Sequence, residues 1–243
     1  MKKYFFALAA LAVLKANAQS NANMKSLSAD EVVQKYTAAM GGLDNYNKIK
    51  TVKFSGTVTA QGYDLPVSMQ VINGHAVRTD VDVMGQQIVS SYKDGKGWKI
   101  NPFQGAATAT DATADELSEF KNQSSLASPL MDYKKRGYTV ESQGQESVDG
   151  KNAYKLKLTT DDKKETIYYI DASTFLPIKS TMTRDLNGAP TTVEWYYSDF
   201  KDFNGVKIAM SRTQKANGQV FQDIKLDKVE VDSQIDEKIF DKQ

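Results

Sequence analysis

The sequence contains no cysteine, only one histidine and only five prolines among its 243 residues. Without cysteine the chain forms no disulfide, has no thiol nucleophile or zinc-thiolate site, and cannot be lipidated at a signal-peptide cysteine. A single histidine also excludes a multi-histidine metal site. His75 follows Asn73-Gly74, so we expect it to be an exposed turn residue. These absences remove most catalytic and metal-binding chemistry.

Sequence motifs of catalysis and of nucleotide binding are missing as well. There is no G-x-S-x-G, no P-loop and no dinucleotide fingerprint. Asp80 with Asp82, and Asp161 with Asp162, lack the regularly spaced oxygen ligands of a calcium loop. The formal net charge of +1 gives nucleic acid little attraction. We therefore expect no enzyme, no cofactor and no metal.

The first 18 residues, MKKYFFALAALAVLKANA, have the three parts of a secretory signal peptide. Lys2 and Lys3 precede an apolar run, and Ala16-Asn17-Ala18 forms an A-x-A cleavage site. Cleavage after Ala18 removes three lysines and would take the net charge from +1 to about −2. The pattern predicts export of a soluble mature chain, with a loose polar segment at 19–27 and one domain at 28–243.

The sequence predicts a helix at the start of this domain. In SADEVVQKYTAAMGG, Ser28 and Glu31 form a capping box, apolar residues repeat at helical spacing, and Gly41-Gly42 ends the helix. From residue 52 onwards, apolar residues alternate with polar ones in about a dozen segments. Five of these precede residue 101 and the rest follow residue 137. We expect the last segment, IDEKIF, to close this series of strands.

Residues 101–133 interrupt the alternation. They contain a short helix with a second capping box, Thr113 with Glu116, and a bend around Pro129. So long a stretch between strands is typical of a lid or a binding loop. The alternative is a plug of ordinary core at the end of a barrel. The candidate lid contacts are the apolar residues Leu117, Phe120, Leu126 and Met131.

A dozen strands with one apolar face each cannot be covered by two or three short helices. The sheet must therefore curl over itself or pair with a second sheet. Short turns between consecutive strands favour an up-and-down order over the Greek-key connections of a sandwich. We predict a mainly β (α+β) fold, a strongly curved antiparallel sheet with the helices inside or across its mouth. Alternation alone leaves open whether its interior is filled or hollow. The candidate cavity residues are Val67, Met69, Met182, Val193, Trp195, Tyr197, Ile208 and Met210.

Several motifs resemble the LolA and LolB superfamily of lipoprotein carriers. They are AMGGLDNYNKIKTVKFSG at 39–56, DASTFLP at 171–177, DFKDFNGVKI around Gly205, and VEVDSQIDEKIF ending at Phe240. The first is similar to outer-membrane lipoprotein-sorting proteins of the Bacteroidetes type. This resemblance implies an incomplete antiparallel β-barrel closed by a helical lid over an apolar cavity.

The resemblance also implies a function. It suggests a monomeric periplasmic carrier of lipoprotein acyl chains or another lipid, with an inner-membrane release complex and an outer-membrane acceptor as partners. Family carriers use an arginine on an early strand to hold the lid, and Arg78 is the candidate. However, alternation in HAVRTDVDV puts Arg78 on the face opposite Val77, Thr79 and Val81. The alternatives are a sensory or scaffolding module of the same fold without lipid, and a filled barrel.

Overall fold

The structure is a computed structural model that describes residues 27–186 and 188–243. The predicted signal peptide and residues 19–26 of the predicted loose segment lie outside the described residues. Within the described part of the chain, no helix is long and apolar enough to cross a membrane.

Within the described ranges, three α-helices and two 3-10 turns accompany the sheet. The capping boxes predicted from Ser28 with Glu31 and from Thr113 with Glu116 are both confirmed. The helices are α1 (Ala29–Ala39), α2 (Leu43–Lys48) and α3 (Ala114–Gln123), and the 3-10 turns are Pro102–Gln104 and Glu237–Phe240.

The described residues form 13 strands in one sheet, and every neighbouring pair of strands is antiparallel. The strands are β1 (Thr51–Ala60), β2 (Tyr63–Ile72), β3 (Ala76–Val83), β4 (Gln86–Lys93), β5 (Lys96–Asn101), β6 (Ala106–Asp111), β7 (Thr139–Val148), β8 (Lys151–Thr159), β9 (Glu165–Asp171), β10 (Pro177–Leu186), β11 (Ala189–Phe203), β12 (Val206–Ala216) and β13 (Gln219–Val231).

The strand order shows two meanders joined back to back. It runs β6-β5-β4-β3-β2-β1-β13-β12-β11-β10-β9-β8-β7, so the first strand pairs with the last. Strands β6 and β7 are the two edges, and the sheet is not closed into a barrel. Residues 112–138, which we call the connection, link these two edges and carry α3. The mainly β, curved and open architecture predicted from the sequence is thereby confirmed.

The main core lies on the inner face of the curved sheet. Helix α1 packs into this face through Val32, Val33 and Tyr36, which are all buried. Strands from both meanders meet it there, with Val52 and Phe54 from β1 and Leu156 from β8 in the same cluster. The helix therefore fills one part of the concave face, which answers how so few helices can cover so many strands.

The structure differs from the sequence prediction in two segments. The predicted lid segment begins with the 3-10 turn Pro102–Gln104 and the edge strand β6. Strand β6 consists mainly of small residues, Ala106-Ala107-Thr108-Ala109-Thr110, which do not alternate in hydropathy as strand residues usually do. The segment IDEKIF is not a strand. Its residues Glu237–Phe240 form a 3-10 turn, in which Asp236 accepts a hydrogen bond from the Lys238 N–H.

Candidate functional site

The end of α1 is held by a close backbone contact with the turn between β11 and β12. Gly41 has a φ of +111°, and a Cβ on it would stand 2.0 Å from the carbonyl oxygen of Gly205. The Lys207 N–H donates to the Met40 carbonyl at 2.8 Å. The Asn45 side chain donates to the Gly41 carbonyl at 2.9 Å. This junction fixes α1 and α2 against β12.

The second half of the connection is firmly fastened over the inner face. Asn73 in the β2–β3 turn accepts from the Leu126 N–H at 3.0 Å, and its amide donates to two carbonyls near the end of α2. Leu130 and Tyr133 are buried in the main core. At its far end, Asp30 of α1 accepts hydrogen bonds from Lys134 and Tyr133, and these lower the pKa of Asp30.

Helix α3 is held more weakly than the rest of the connection. None of its residues is buried. Ion pairs attach it to both meanders, Glu116 to Lys99 of β5 and Glu119 to Arg184 of β10 at 2.5 Å. Burial alone would raise the pKa of Glu116, but hydrogen bonds from Lys99 and Thr113 outweigh it and lower that pKa. Partly exposed ion pairs contribute little stability each, so α3 is the part of the lid best able to move.

A cavity of about 210 Å³ lies between α1, α2, the fastened part of the connection and strands β9, β11 and β12. Most of its surface is apolar. Its apolar lining includes Met40, Phe54, Leu126, Phe200, Val206 and Ile208, and its polar lining includes Tyr36, Tyr46, Tyr168, Tyr197, Ser125 and Arg212.

The phenols in this lining are neutral donors. Burial raises the pKa values of Tyr36, Tyr46 and Tyr168 well above the ordinary range. The Tyr46 hydroxyl donates to the Lys207 carbonyl at 2.7 Å. The hydroxyl of Tyr197 shares a hydrogen bond with Ser180 at 2.8 Å. These groups give the cavity a polar side without adding charge.

Arg212 and Lys207 are the charged residues among the lining, and the Nε of Arg212 is buried without a hydrogen-bond partner. Burial lowers the pKa of Arg212, although an arginine stays protonated at physiological pH. Across residues 27–186 and 188–243, no carboxylate lies within ion-pair distance of its guanidinium, whereas Arg78, Arg136 and Arg184 are each paired with an acid.

The apolar inner face continues beyond the cavity towards the hairpin end, which we define as the end of the sheet that carries the β1–β2 and β12–β13 turns. Cross-strand partners share one face of a sheet, and the pairs Val58↔Leu65, Val67↔Val81, Val81↔Ile88 and Val58↔Ile224 follow this face from β13 to β4. Apart from the buried Val58, these side chains are only half-buried. They form an apolar trough that opens near Arg212, whose strand partners are Ile224 and Tyr197.

The structure distributes the eight candidate cavity residues over this face. Tyr197 and Ile208 belong to the cavity lining. Val67, Met69, Met182 and Trp195 are half-buried along the trough, whereas Val193 and Met210 are buried. Of the candidate lid residues, Leu126 lines the cavity, and Leu117, Phe120 and Met131 pack against the main core.

Arg78 contacts the C-terminal turn and not the lid. It lies on the outer face, pairs with Asp80 and donates to the Ile239 carbonyl at 2.7 Å. The physical reason is the regular alternation of β3, which turns Arg78 away from Val77 and the inner face without a bulge. The lid-latch role predicted for Arg78 needs a contact with the lid, whereas the structure shows this side chain in contact with the turn Glu237–Phe240.

Sequence reasoning missed the polar side of the cavity. Arg212 has the same parity on β12 as Val206, Ile208 and Met210, so VKIAMSR carries the signal of a charged residue continuing an apolar face. Tyr36 repeats at helical spacing with the apolar residues of α1, and this spacing does not distinguish a cavity residue from a core residue. Its neighbours Tyr168 and Tyr197 come from the other meander, and their meeting depends on the pairing of β1 with β13.

Comparison with known proteins identifies the fold. No family model matches this chain, and no curated protein matches it. Among solved structures, a LolA superfamily protein from Nitrosomonas europaea has a TM-score of 0.59 and 14% identity over 89% of this chain and 99% of that chain. An outer membrane lipoprotein-sorting protein domain from Vibrio parahaemolyticus has a TM-score of 0.57 and 13% identity over 86% and 94% of the two chains.

A DUF1329 family protein from Desulfovibrio piger is similar to the same degree, with a TM-score of 0.58 and 13% identity over 88% of this chain and 97% of that chain. At these identities the likeness establishes the fold. The resemblance to the LolA superfamily that the motifs predicted is thus confirmed at the level of architecture. The Bacteroidetes subtype stays a prediction.

Proposed function

We propose that this protein is a periplasmic carrier that shields lipoprotein acyl chains, or the chains of another lipid, during transfer to the outer membrane. The observation that carries the proposal is the half-buried apolar trough, which runs towards a cavity that the weakly held helix α3 borders through Asn122. Exposed contiguous apolar surface is rare in proteins without a partner for it. The fold shared with a lipoprotein-sorting domain supports this cargo.

The size of the cavity implies that binding requires α3 to move. At about 210 Å³ it is smaller than the roughly 300–1,000 Å³ of typical ligand pockets. Since α3 borders the cavity through Asn122 and contacts β3 and β4 of the trough, we expect its displacement to open a path between the two. Burial contributes about 0.8 kcal/mol for each methylene, so a sixteen-carbon chain could gain on the order of 10 kcal/mol. Release of such a chain would then need an acceptor that biases the exchange.

The expected cellular role follows from the predicted leader, with cleavage after Ala18. The carrier would act as a monomer without covalent chemistry, collecting cargo from an inner-membrane release complex and delivering it to an outer-membrane acceptor. No metal or cofactor takes part in this proposal.

Native mass spectrometry of delipidated and refolded protein tests the proposal. We expect adducts of several acyl masses after incubation with a triacylated lipopeptide. Val67→Glu, which puts a charge into the trough, should reduce the adducts at least tenfold, whereas Lys225→Glu on the exposed outer face should not. Protein that takes up no lipopeptide at all would favour the sensory or scaffolding alternative and overturn the carrier.

A further inference from the structure

Arg212 is a half-buried residue of the inner face whose Nε is buried without a hydrogen-bond partner, and no carboxylate among the described residues pairs with its guanidinium. Buried polar groups in proteins nearly always have partners, and a buried charge without one is costly. The Nε of Arg212 has no hydrogen-bond partner. The nearby phenols of Tyr46 and Tyr197 are already hydrogen-bonded to the Lys207 carbonyl and to Ser180. A side chain kept in this state is explained if its partner comes from outside the chain.

The position of Arg212 specifies what that partner looks like. It lines the cavity together with apolar residues such as Phe200 and Ile208, and it borders the trough through its strand partner Ile224. A ligand that reaches it must therefore combine an apolar body with an acceptor for a guanidinium. The planar fork of arginine suits the paired oxygens of a carboxylate or a phosphate.

We infer that the cargo is an anionic amphiphile, an acyl chain with a carboxylate or phosphate head, and that Arg212 pairs with this head while the chain lies along the inner face. This inference rests on the proposed function and narrows it, because the acyl chains of a lipoprotein are joined by neutral ester and amide bonds. Arg212 would then select cargo by its head group as well as by its chain.

Three probes with the same sixteen-carbon chain test the inference, namely hexadecanoic acid, hexadecyl phosphate and the neutral hexadecanol, each below its micelle concentration. Binding is followed by Trp195 fluorescence in a Trp98→Phe background. We expect both anionic probes to bind at least tenfold more tightly than hexadecanol. Arg212→Met should abolish this preference, so that the three probes bind this variant with similar affinity.

The free protein supplies a second, independent readout. Since the guanidinium is unpaired, Arg212→Met should leave the melting temperature of ligand-free protein unchanged or raise it. The matched control is Arg78→Met, which removes a guanidinium bonded to Asp80 and Ile239 and should lower the melting temperature without changing head-group preference. A lower melting temperature for Arg212→Met would show a structural role and overturn the inference.

The outcomes separate this inference from the carrier function. If all three probes bind equally to the parent protein and to Arg212→Met, the inference fails and the carrier stands. If none of the probes and no lipopeptide binds, the carrier itself fails. Acetate and inorganic phosphate are tested alone. If either one binds as tightly as its sixteen-carbon counterpart, the site is a small-anion site and the inference of an amphiphilic cargo is overturned.

Discussion

Gly41 and Gly205 show how two short motifs far apart in the sequence depend on each other. Gly41 is the first glycine of the AMGG segment, and Gly205 is the centre of the DFNGVKI turn. Their backbones touch, so a side chain at position 41 would overlap the Gly205 carbonyl. The contact sets the position of α1, and with it Tyr36 and Met40 in the cavity lining.

We predict that Gly41→Ala destabilises the protein strongly. Gly42 is the matched control, because it also has a positive φ but a Cβ on it would meet nothing within 4 Å. Gly42→Ala should cost about 1–3 kcal/mol from backbone strain alone. Gly41→Ala adds the overlap, which costs typically 1–3 kcal/mol more. Urea unfolding measures both, and equal losses for the two variants would contradict the close contact.

At the scale of single residues, the sequence predicted contacts between near neighbours in the chain but not contacts between distant residues. The capping residues Ser28 and Thr113 each act on an amide three residues away, so the sequence alone predicted them correctly. The partner of Gly41 lies 164 residues further along, and no local pattern names it. Arg212 falls between these cases, since its parity was visible but its missing partner is a property of the folded interior.

The connection consists of two parts with different attachment. The stretch from Ser124 to Tyr133 contains buried residues and hydrogen bonds to the β2–β3 turn and α1. Helix α3 has no buried residue and is attached by the partly buried Leu117 and Phe120 and by ion pairs with both meanders. Local opening is easiest where few apolar contacts must break, so α3 should open while the rest of the connection stays in place.

We predict that Arg184→Glu promotes this opening, because it places a like charge against Glu119 of α3. Hydrogen exchange of the α3 amides should become several-fold faster, whereas that of α1 should not change. The reciprocal variant, Arg184→Glu with Glu119→Arg, restores the pair with reversed polarity and should return exchange close to that of the parent. A double variant that exchanges as fast as the single one would show that the pair does not hold the helix.

The elements themselves were predictable where side chains alternate clearly in hydropathy. TTVEWYYSDFKDFNGVKIAMS forms two strands and a turn, as its alternation predicts. Strand β6 was missed because alanine and threonine give almost no contrast between faces. The 3-10 turn at Glu237–Phe240 was mistaken for a strand because its apolar residues also lie close together in sequence.

At the scale of the whole molecule, the C-terminal turn fastens the last residues of the described chain to the first meander. Phe240 is buried, and its carbonyl accepts from Ser91 at 3.0 Å and from the Trp98 indole at 2.8 Å. Arg78 completes this contact through Ile239. The turn covers the outer face of β3, β4 and β5, opposite the face that carries α3.

We predict that Phe240→Ala costs about 3–5 kcal/mol, the usual loss for removing a buried aromatic side chain. In a Trp195→Phe background, the emission of Trp98 should shift to the red as its surroundings become wetter. Ile239→Ala is the milder control, since it keeps the same backbone acceptors and the buried ring. An unchanged unfolding midpoint in Phe240→Ala would mean that this turn does not clamp the outer face.

The curvature of the sheet could be predicted by counting strands and helices. About a dozen strands with one apolar face each have too few helices to cover them. The strand order could not be predicted in this way. Short turns predict each hairpin within a meander, but the pairing of β1 with β13 joins Val58 to Ile224 across most of the chain. The cavity inherits this limit, since α1, β9 and β12 reach it from both meanders.

That one distant pairing also determines the order in which the molecule can assemble. Every other strand contact joins neighbours in sequence, and such local contacts form quickly, whereas a distant one waits for its partner. During synthesis, β1 must remain with one bare hydrogen-bonding edge until β13 has emerged. An unpaired edge is a template for aggregation. The newborn chain therefore passes through a stage in which this edge is open to pairing with another chain.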